Sequence, residues 1–274
     1  MTKPKQTYPS DLNDSEWNAI EQYLRQRVPK GPGGAPCKHA RRTILNAIFY
    51  IVRGGCAWRM MPVNFPPWKT VYDYFRQWRI DGTWAEMNAV MVQAVRKKSG
   101  REPQPSAAIL DSQSVKTAEG GEACGYDAGK KVTGRKRHLV VDTLGLVLMV
   151  VVTAANVQDV HGGQKVLQAL FDRIKHSKYS RWCRLKLIWA DGGYRGQLIA
   201  EVKSRFGWAL AIVEKLGAQV GFQVLPHRWI VERTFAWLCR NRRLARDYER
   251  LPQTSEAFIY IAMIRLMTRR LARP

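Results

Sequence analysis

The sequence has few of the features that mark exported or membrane-bound proteins. Its five cysteines stand far apart, at positions 37, 56, 124, 183 and 239, and none belongs to a CxxC pair. This spacing argues against a structural zinc site and against a disulfide framework. The longest apolar stretch, residues 144–155, is too short to span a bilayer, and the first seven residues form no apolar signal region. We therefore expect a soluble intracellular protein with no membrane partner.

Negative charge is also scarce, and this is the strongest signal in the composition. Lys and Arg number 45 against 22 Asp and Glu, which gives a formal net charge of +23. Both halves of the chain are basic, so no single tail carries the charge. Such a surface attracts an extended polyanion, and we expect double-stranded DNA. The alternative is a basic protein that its charge merely keeps soluble.

The first hundred residues show helical spacing of apolar side chains. Helices are predicted over 13–27, 40–53, 69–79 and 83–97. The second and third of these helices are joined by a compact connector, and the third carries basic residues. This arrangement resembles a helix-turn-helix. A plain helical bundle with solvated basic faces is the alternative. The polar, Pro-containing segment 97–105 is the predicted boundary between an all-α, helix-turn-helix-like DNA-binding domain, 1–100, and a second domain, 106–274.

The second domain shows a mixed pattern of strands and helices. Short apolar runs predict strands at 107–110, 137–142, 146–153, 185–190 and 208–213, and a Gly- and Lys-rich arm, 117–134, follows the first of them. Helices are predicted at 162–174, 196–206 and 255–270, with another around residue 232. This order is that of an RNase H-like mixed sheet, so we expect the α/β fold class.

Three carboxylates occupy positions that favour a buried site. Asp111 and Asp191 each follow an apolar run that predicts a buried strand, and Glu232 lies on a predicted helix. Carboxylate oxygens suit hard divalent cations, and two such ions support phosphoryl transfer. We expect two Mg²⁺ ions, or Mn²⁺ in their place, with Asp111 bridging them, and no nucleotide cofactor. Alternatively, Asp191 only begins a turn and Glu232 only pairs with Arg228.

Basic and aromatic residues around these acids are the predicted contacts to DNA. Arg228 precedes Glu232 by four helical residues, so it can orient that carboxylate or contact the adjacent phosphate. Exposed Lys and Arg side chains would neutralise backbone phosphates without reading bases, although a solvated charged face is the alternative. The predicted set is Lys69, Arg76, Arg79, Lys130, Lys131, Arg135, Lys136, Arg137, His138, Tyr194, Arg195, Arg228, Arg240, Arg242 and Arg243.

Several motifs together carry a family resemblance. They are DSQSVK at 111–116, GRKRHLVVD at 134–142, ADGGYRG at 190–196 and RWIVERTFAW at 228–237, with NAIFY at 46–50 and FPPWKTVY at 65–72 in the first domain. Their joint occurrence resembles the bacterial DDE-class insertion-sequence transposases, and the nearest branch is the insertion-sequence-five family. The resemblance covers nearly the whole chain.

The resemblance implies a specific activity and site. The family's metal-binding acids fall on Asp111, Asp191 and Glu232. A transposase of this kind would bind the terminal inverted repeats of its own element, cut with metal-activated water and join the 3′-OH ends to target DNA, as a homodimer or larger assembly. It would act in the cytoplasm, associated with the nucleoid. The wider family signature has a Tyr and a Lys where this chain has Leu225 and Cys239.

Two other functions fit part of the pattern. One is a DNA-binding regulator whose acids are unused, against which the three intact acids argue. The other is a nuclease of the same fold that hydrolyses DNA without strand transfer. The basic helical segment argues against the nuclease, because recognition of specific DNA ends would need such a segment.

Overall fold

Four helices precede the sheet. The computed structural model describes residues 8–24, 38–118, 121–176, 183–213 and 228–273. The first helices are α1 (Asp14–Ile20), α2 (Arg41–Gly54), α3 (Trp68–Ile80) and α4 (Thr83–Lys98). The helix predicted over 13–27 is shorter than expected, because it ends at Ile20 and passes into a single 3-10 turn. Residues 25–27 lie outside the described ranges.

Six strands form one mixed sheet. They are β1 (Ala107–Lys116), β2 (Gly125–Asp127), β3 (Val132–Asp142), β4 (Val147–Ala154), β5 (Leu187–Ala190) and β6 (Ala209–Ile212). β3 pairs antiparallel with β1 on one side and with β2 and β4 on the other, while β1, β5 and β6 run parallel to one another. This mixed α/β architecture agrees with the predicted RNase H-like sheet.

Five helices in the described part of the chain accompany the sheet and cover it. They are α5 (Asp159–His176), α6 (Gln197–Phe206), α7 (Arg228–Cys239), α8 (Arg242–Ala245) and α9 (Pro252–Ala272). α5 packs on β1, β3 and β4, and α7 packs on β1. None of the helices in the described ranges combines the length and the apolar character that a membrane crossing requires.

The apolar core extends from the N-terminal helices into the sheet. α9 is buried around most of its circumference, since residues 257–264 are all buried, and it contacts α1, α2, α3 and α4 as well as β4. A helix that is buried on all sides belongs to the interior of a domain. Arg96 of α4 also pairs with Asp142 of β3, with both side chains nearly fully buried. The helical and sheet regions are therefore packed together, and the boundary at 97–105 stays a prediction.

Further predicted element bounds are wrong, among them the start of α9, which lies at Pro252 instead of residue 255, and the start of β5, which lies at Leu187 instead of residue 185. β1 does not stop before Asp111 but continues to Lys116, because the backbone of its polar second half pairs with β3 from Leu139 to Gly134. β3 begins at Val132 instead of residue 137, since its first residues pair with β2. α5 begins at Asp159, three residues before the predicted start, which brings an additional acid to the first turn of that helix.

Candidate active site

Asp111 on β1 lies beside Asp191, which directly follows the parallel strand β5. The register pairs Ile109 of β1 with Trp189 of β5, so the residues two positions further along are also neighbours. Asp111 is 9 % exposed, and its Oδ1 accepts the Ser112 backbone N–H at 2.7 Å. Asp191 follows β5 directly and caps a 3-10 turn, where its Oδ1 accepts the Gly193 N–H at 2.9 Å. The sheet thus places two of the predicted acids at one edge.

α7 supplies the third acid together with a basic residue. One guanidinium nitrogen, Arg228 Nη2, lies 3.9 Å from Asp111 Oδ2, 3.4 Å from Asp191 Oδ2 and 3.8 Å from Glu232 Oε1. The three acids predicted from the sequence therefore surround a single positive charge. The sequence left two alternatives open: Glu232 only pairs with Arg228, or all three acids converge. The structure shows both the pair and the convergence.

The charges at this centre are incompletely balanced. The separations from Arg228 exceed the usual 2.7–3.2 Å of an N–H···O hydrogen bond, so the guanidinium compensates charge without tight bonds. Burial raises the pKa of Asp111 to about 6, and the neighbouring charge of Asp191 acts in the same direction. The Ser112 N–H and Arg228 oppose this rise only in part. The cluster favours a stronger positive charge than one arginine provides.

The donor set fits divalent cations in its chemistry. Within the described ranges, no three Asp, Glu, His or Cys side chains converge closely enough to hold one ion together as they stand. The half-buried guanidinium of Arg228, however, lies where a cation would be attracted by all three carboxylates. Mg²⁺ typically takes one or two carboxylates and completes its shell with water and substrate phosphate. The three acids would therefore suit ions that are each held by two carboxylates, provided that the Arg228 side chain moves out of the centre.

A fourth acid, Asp159, lies next to this centre and was missed in the sequence. Its Oδ1 accepts the hydroxyl of Ser112 at 2.7 Å and lies 3.0 Å from Lys136 Nζ. Burial alone would raise the pKa of Asp159, but the bonds from Ser112 and Lys136 outweigh burial and lower it. Ser112 directly follows Asp111, so Asp159 supports β1 next to Asp111. An acid in the first turn of a helix could have indicated Asp159 as a candidate. The helix was predicted to begin at residue 162, however, so Asp159 fell outside it.

Tyr194 is buried beneath the acids instead of reaching toward DNA. Its side chain is fully buried, and a Cβ on Gly163 would lie 2.8 Å from Tyr194 Cε1. Burial raises the pKa of Tyr194 well above its usual value, and the charges of Asp111 and Asp159 add to the rise. The predicted contact of Tyr194 with DNA is therefore wrong, because a tightly packed ring supports the Asp191 turn. Arg195, the next residue, is exposed.

Four basic residues predicted to contact DNA lie on β3 inside the protein. Arg135, Lys136, Arg137 and His138 are each 5 % exposed or less. The prediction of exposed side chains assumed that the arm reached residue 134 and that the next strand began at Arg137, whereas β3 starts at Val132 and has neighbours on both edges and both faces. DNA phosphates cannot reach these groups without rearrangement of the fold, so the prediction is wrong for all four.

The buried side chains of β3 alternate between two faces. Arg135 and Arg137 point to the C-terminal segment, where Arg135 Nη1 lies 3.0 Å from Asp247 Oδ1 and Arg137 donates to the Leu244 carbonyl at 2.8 Å. Lys136 and His138 point to the opposite face. Lys136 pairs there with Asp159 and Asp127, and His138 Nε2 bonds to Thr153 Oγ1 at 3.0 Å. Burial lowers the pKa of His138 to about 4, which keeps the ring neutral near pH 7.

The other residues predicted to contact DNA differ in how far their side chains are exposed to solvent. Arg243 is 9 % exposed and bonds to Glu249 and to the Cys56 carbonyl, which corrects its assignment as a DNA contact. α7 ends at Cys239, so Arg240 lies past the end of that helix and Arg242 begins α8. Arg79 and Arg228 are half-buried. The exposed members are Lys69, Arg76, Lys130, Lys131, Arg195, Arg240 and Arg242.

Comparisons with known proteins place both regions of the chain in transposase families. The family profile described as "Transposase DDE domain" matches residues 102–267, and that described as "Putative transposase of IS4/5 family" matches residues 12–88. A relative from Burkholderia cepacia, described as a putative transposase for insertion sequence element IS402, is 31 % identical over 126 residues. That alignment spans 46 % of this chain and 59 % of the relative. No solved structure matches the chain.

Proposed function

Because the chain belongs to the DDE insertion-sequence transposases of the IS4/5 type, we propose that it moves a DNA element by cutting and rejoining. It binds the terminal inverted repeats of its element, hydrolyses a phosphodiester bond at each end and joins the 3′-OH ends to target DNA. One observation carries the proposal: a single nitrogen of Arg228 lies within 3.9 Å of Asp111, Asp191 and Glu232.

Divalent metal use is implied by the family, and the three acids are the proposed ligands. Asp111 would contact both of two Mg²⁺ or Mn²⁺ ions, and Asp191 and Glu232 would hold one each. When bound, such ions lower the pKa of an attacking water and stabilise the leaving 3′ oxygen. The raised pKa of Asp111 fits this role, because a nearby dication returns a carboxyl of this kind to its ionised, ligating form.

The chain's own residues position the reacting groups. Arg228 leaves the centre of the acids and turns its guanidinium to a phosphate oxygen, where two parallel N–H donors can bind. Asp159 and Lys136 hold Ser112 and thereby the backbone next to Asp111. The buried ring of Tyr194 fixes the turn that aims Asp191. The contacts of Asp159, Lys136 and Tyr194 exist before any ligand arrives, so the backbone beside Asp111 and Asp191 is preorganised, whereas Arg228 has to move.

Double-stranded DNA is the proposed partner, bound by exposed basic residues outside the acids. On α3 these are Lys69 and Arg76, with Arg79 at the margin, and on the β2–β3 connection they are Lys130 and Lys131. Exposed Arg195, Arg240 and Arg242 lie on the segments that follow Asp191 and Glu232 along the chain. Bringing two DNA ends together requires two active sites, so we propose that the protein acts as a homodimer on DNA.

A DNA-binding regulator is the competing function, favoured by the arginine that closes the acid cluster. A direct test separates the two. Purified protein is mixed with the DNA flanking its own gene and Mg²⁺, beside the variants Asp111→Asn and Asp172→Asn. Asp172 is an exposed acid on α5 and serves as the matched control. Nicked and joined products from the wild type and Asp172→Asn, but not from Asp111→Asn, are expected. Binding of DNA without any product in Mg²⁺ or Mn²⁺ would favour the regulator.

A further inference from the structure

A pocket outside the catalytic centre is lined by six arginines. It has a volume of about 250 Å³ and lies between α2, the end of α7 and α9, and none of its described lining residues is acidic. An adjoining pocket of about 360 Å³ shares two of the arginines and adds Arg242. The first pocket is smaller than the roughly 300–1,000 Å³ of typical drug-sized sites. The six arginines are Arg53, Arg240, Arg265, Arg269, Arg270 and Arg273.

Two arginines of this pocket, Arg265 and Arg270, are held in place by uncharged groups. Arg265 donates to the main-chain carbonyls of Ser10 and Pro9, and the guanidinium carbon of Arg270 lies 4.8 Å from the centre of the Trp237 ring. Within the described part of the chain, the one carboxylate within 4 Å of any of the six is Glu16, at 3.8 Å from Arg269 Nε. Carbonyls and rings orient guanidinium groups without neutralising them.

This concentration of positive charge is unfavourable in the free protein. Arg265 and Arg269 are four residues apart on α9, a spacing at which like charges repel, and Arg273 directly follows the end of that helix. Burial and the neighbouring charge of Arg269 together lower the pKa of Arg265 to about 10. An anion that entered the pocket would relieve both costs. Arg53, Arg240, Arg269 and Arg273 are exposed, so such a ligand could reach them.

α7 connects the pocket to the catalytic acids. Glu232 lies within this helix, and Trp237, Leu238 and Arg240 at its end line the pocket. At a rise of 1.5 Å per residue, Arg240 is about 12 Å from Glu232 along the helix axis. Successive phosphates of one DNA strand are about 3.4 Å apart along the duplex axis, so this separation corresponds to roughly three to four base pairs.

We propose that the arginine pocket binds a backbone phosphate of the DNA substrate, a few base pairs from the bond that the acids cut. The planar guanidinium groups can donate in parallel pairs to phosphate oxygens, and the absence of acid in the described lining favours an anion over a cation or a neutral ligand. The proposal rests on the proposed function, since it supplies a contact for the same DNA. It adds a defined anchoring site away from the metal ligands.

The first experiment measures the salt dependence of DNA binding in EDTA. The double variant Arg240→Gln/Arg273→Gln removes two exposed arginines, and Lys175→Gln/Lys203→Gln removes two exposed charges from α5 and α6, outside the pocket. The slope of log K against log salt should fall by about 1 unit in the pocket variant, because the loss of one phosphate contact reduces it by about 0.9. The control variant should keep the wild-type slope. Equal slopes for the pocket variant and the wild type overturn the proposal.

The second experiment identifies the phosphate. Single neutral methylphosphonates are placed at each position within about ten base pairs of the cleavage site. At one or two positions the substitution should weaken binding of the wild type and the control variant but not of Arg240→Gln/Arg273→Gln. The proposal would be contradicted if, at every position, the methylphosphonate weakened DNA binding by the same factor in the pocket variant as in the wild type.

A third arm separates DNA from a free anion. If inorganic phosphate stabilises the wild type but not the pocket variant, while the two share one salt slope for DNA, the site serves a free phosphate and the proposal fails. Failure of the proposed function has a different signature, because the wild type would then bind DNA without yielding products. If the wild type binds no DNA at all, both proposals fail together.

Discussion

The hydroxyl of Ser112 donates a 2.7 Å hydrogen bond to Asp159, and this bond joins the strand of Asp111 to the first turn of α5. The same carboxylate oxygen of Asp159 lies 3.0 Å from Lys136 on β3. β1, β3 and α5 are thereby connected at the residue next to Asp111, one of the three proposed metal ligands. The position of Asp111 depends on this connection as well as on its own strand.

Asp159→Asn should slow DNA cleavage without loss of the fold. The amide can still accept from Ser112 but no longer compensates Lys136, so the backbone beside Asp111 is less well held. Displacements of this kind cost roughly ten- to a hundredfold in rate. We expect the turnover rate to fall while the Kd for DNA and the melting temperature stay near those of the wild type. Partial recovery in Asp159→Glu, and wild-type rates in Asp172→Asn, complete the test. A large fall in melting temperature would instead indicate a purely structural residue.

Arg228→Gln should make the protein more responsive to divalent metal. Removal of the guanidinium leaves three carboxylates without their shared counter-charge, so the metal-free variant should melt at a lower temperature than the wild type. The same removal ends the competition for the centre, and the rise in melting temperature on adding Mg²⁺ or Mn²⁺ should be larger. A ligand at a hundred times its Kd stabilises a fold by about 2.7 kcal/mol. Asp111→Asn should show little rise, and an equal rise in Arg228→Gln and the wild type would count against the assigned ligands.

Glu256 should make stability depend on pH. Burial raises the pKa of Glu256 to about 7, although its carboxylate accepts the Val152 N–H at 2.9 Å. Between about pH 4.5 and 7 the folded chain retains a proton that the unfolded chain releases, so the contribution of this group to stability is lost as pH rises through that range. The loss amounts to at most about 3 kcal/mol.

The variant Glu256→Gln keeps an acceptor for Val152 and removes the titration. It should match the wild type below pH 4.5 and exceed the wild type in free energy of unfolding above pH 7. Urea unfolding at pH 4.5 and pH 8 measures the difference. The assignment is wrong if the two proteins differ by the same amount at both pH values.

Asp247→Asn should destabilise the fold strongly, because Asp247 and Arg135 form an ion pair in which both side chains are fully buried. Removing one partner of a buried pair costs about 3–5 kcal/mol, since the other charge stays uncompensated. The exposed pair of Arg184 and Glu102 provides the control, and Glu102→Gln should have little effect on stability. Urea unfolding of both variants measures the contrast. Similar losses in the two would show that Arg135 is solvated or compensated elsewhere.

The regular helices were the part of the fold that the sequence predicted best. The bounds predicted for α2, α3 and α4 are confirmed within one residue at each end, because their apolar side chains recur with helical spacing and Gly55 stops α2 at a positive φ of 75°. β1 was predicted too short for a related reason. Its second half, Ser-Gln-Ser, has no apolar pattern and is held by backbone pairing with β3, which no local signal reveals.

The basic residues of β3 were predicted wrongly because charge alone does not specify exposure. A run of Lys and Arg normally indicates a solvated surface, and Arg135 and Arg137 lacked any nearby acid in the sequence. Arg135 pairs with Asp247 in a segment 112 residues further along the chain. A partner at that distance in sequence is fixed only by the way that the C-terminal segment folds back on the sheet.

The sequence by itself determined the net charge of +23, from which DNA binding was predicted, the RNase H-like order of elements and the three acids that follow or accompany buried segments. Residue type and periodicity are local properties, and they are sufficient for these conclusions. The tertiary structure decided which charges meet. Parallel pairing of β1 with β5 and packing of α7 on β1 bring three distant acids around Arg228, and the same folding places Asp159 beside them and six arginines around one pocket. Electrostatic energy depends on distance and burial, and both are set only when segments far apart in the chain come into contact.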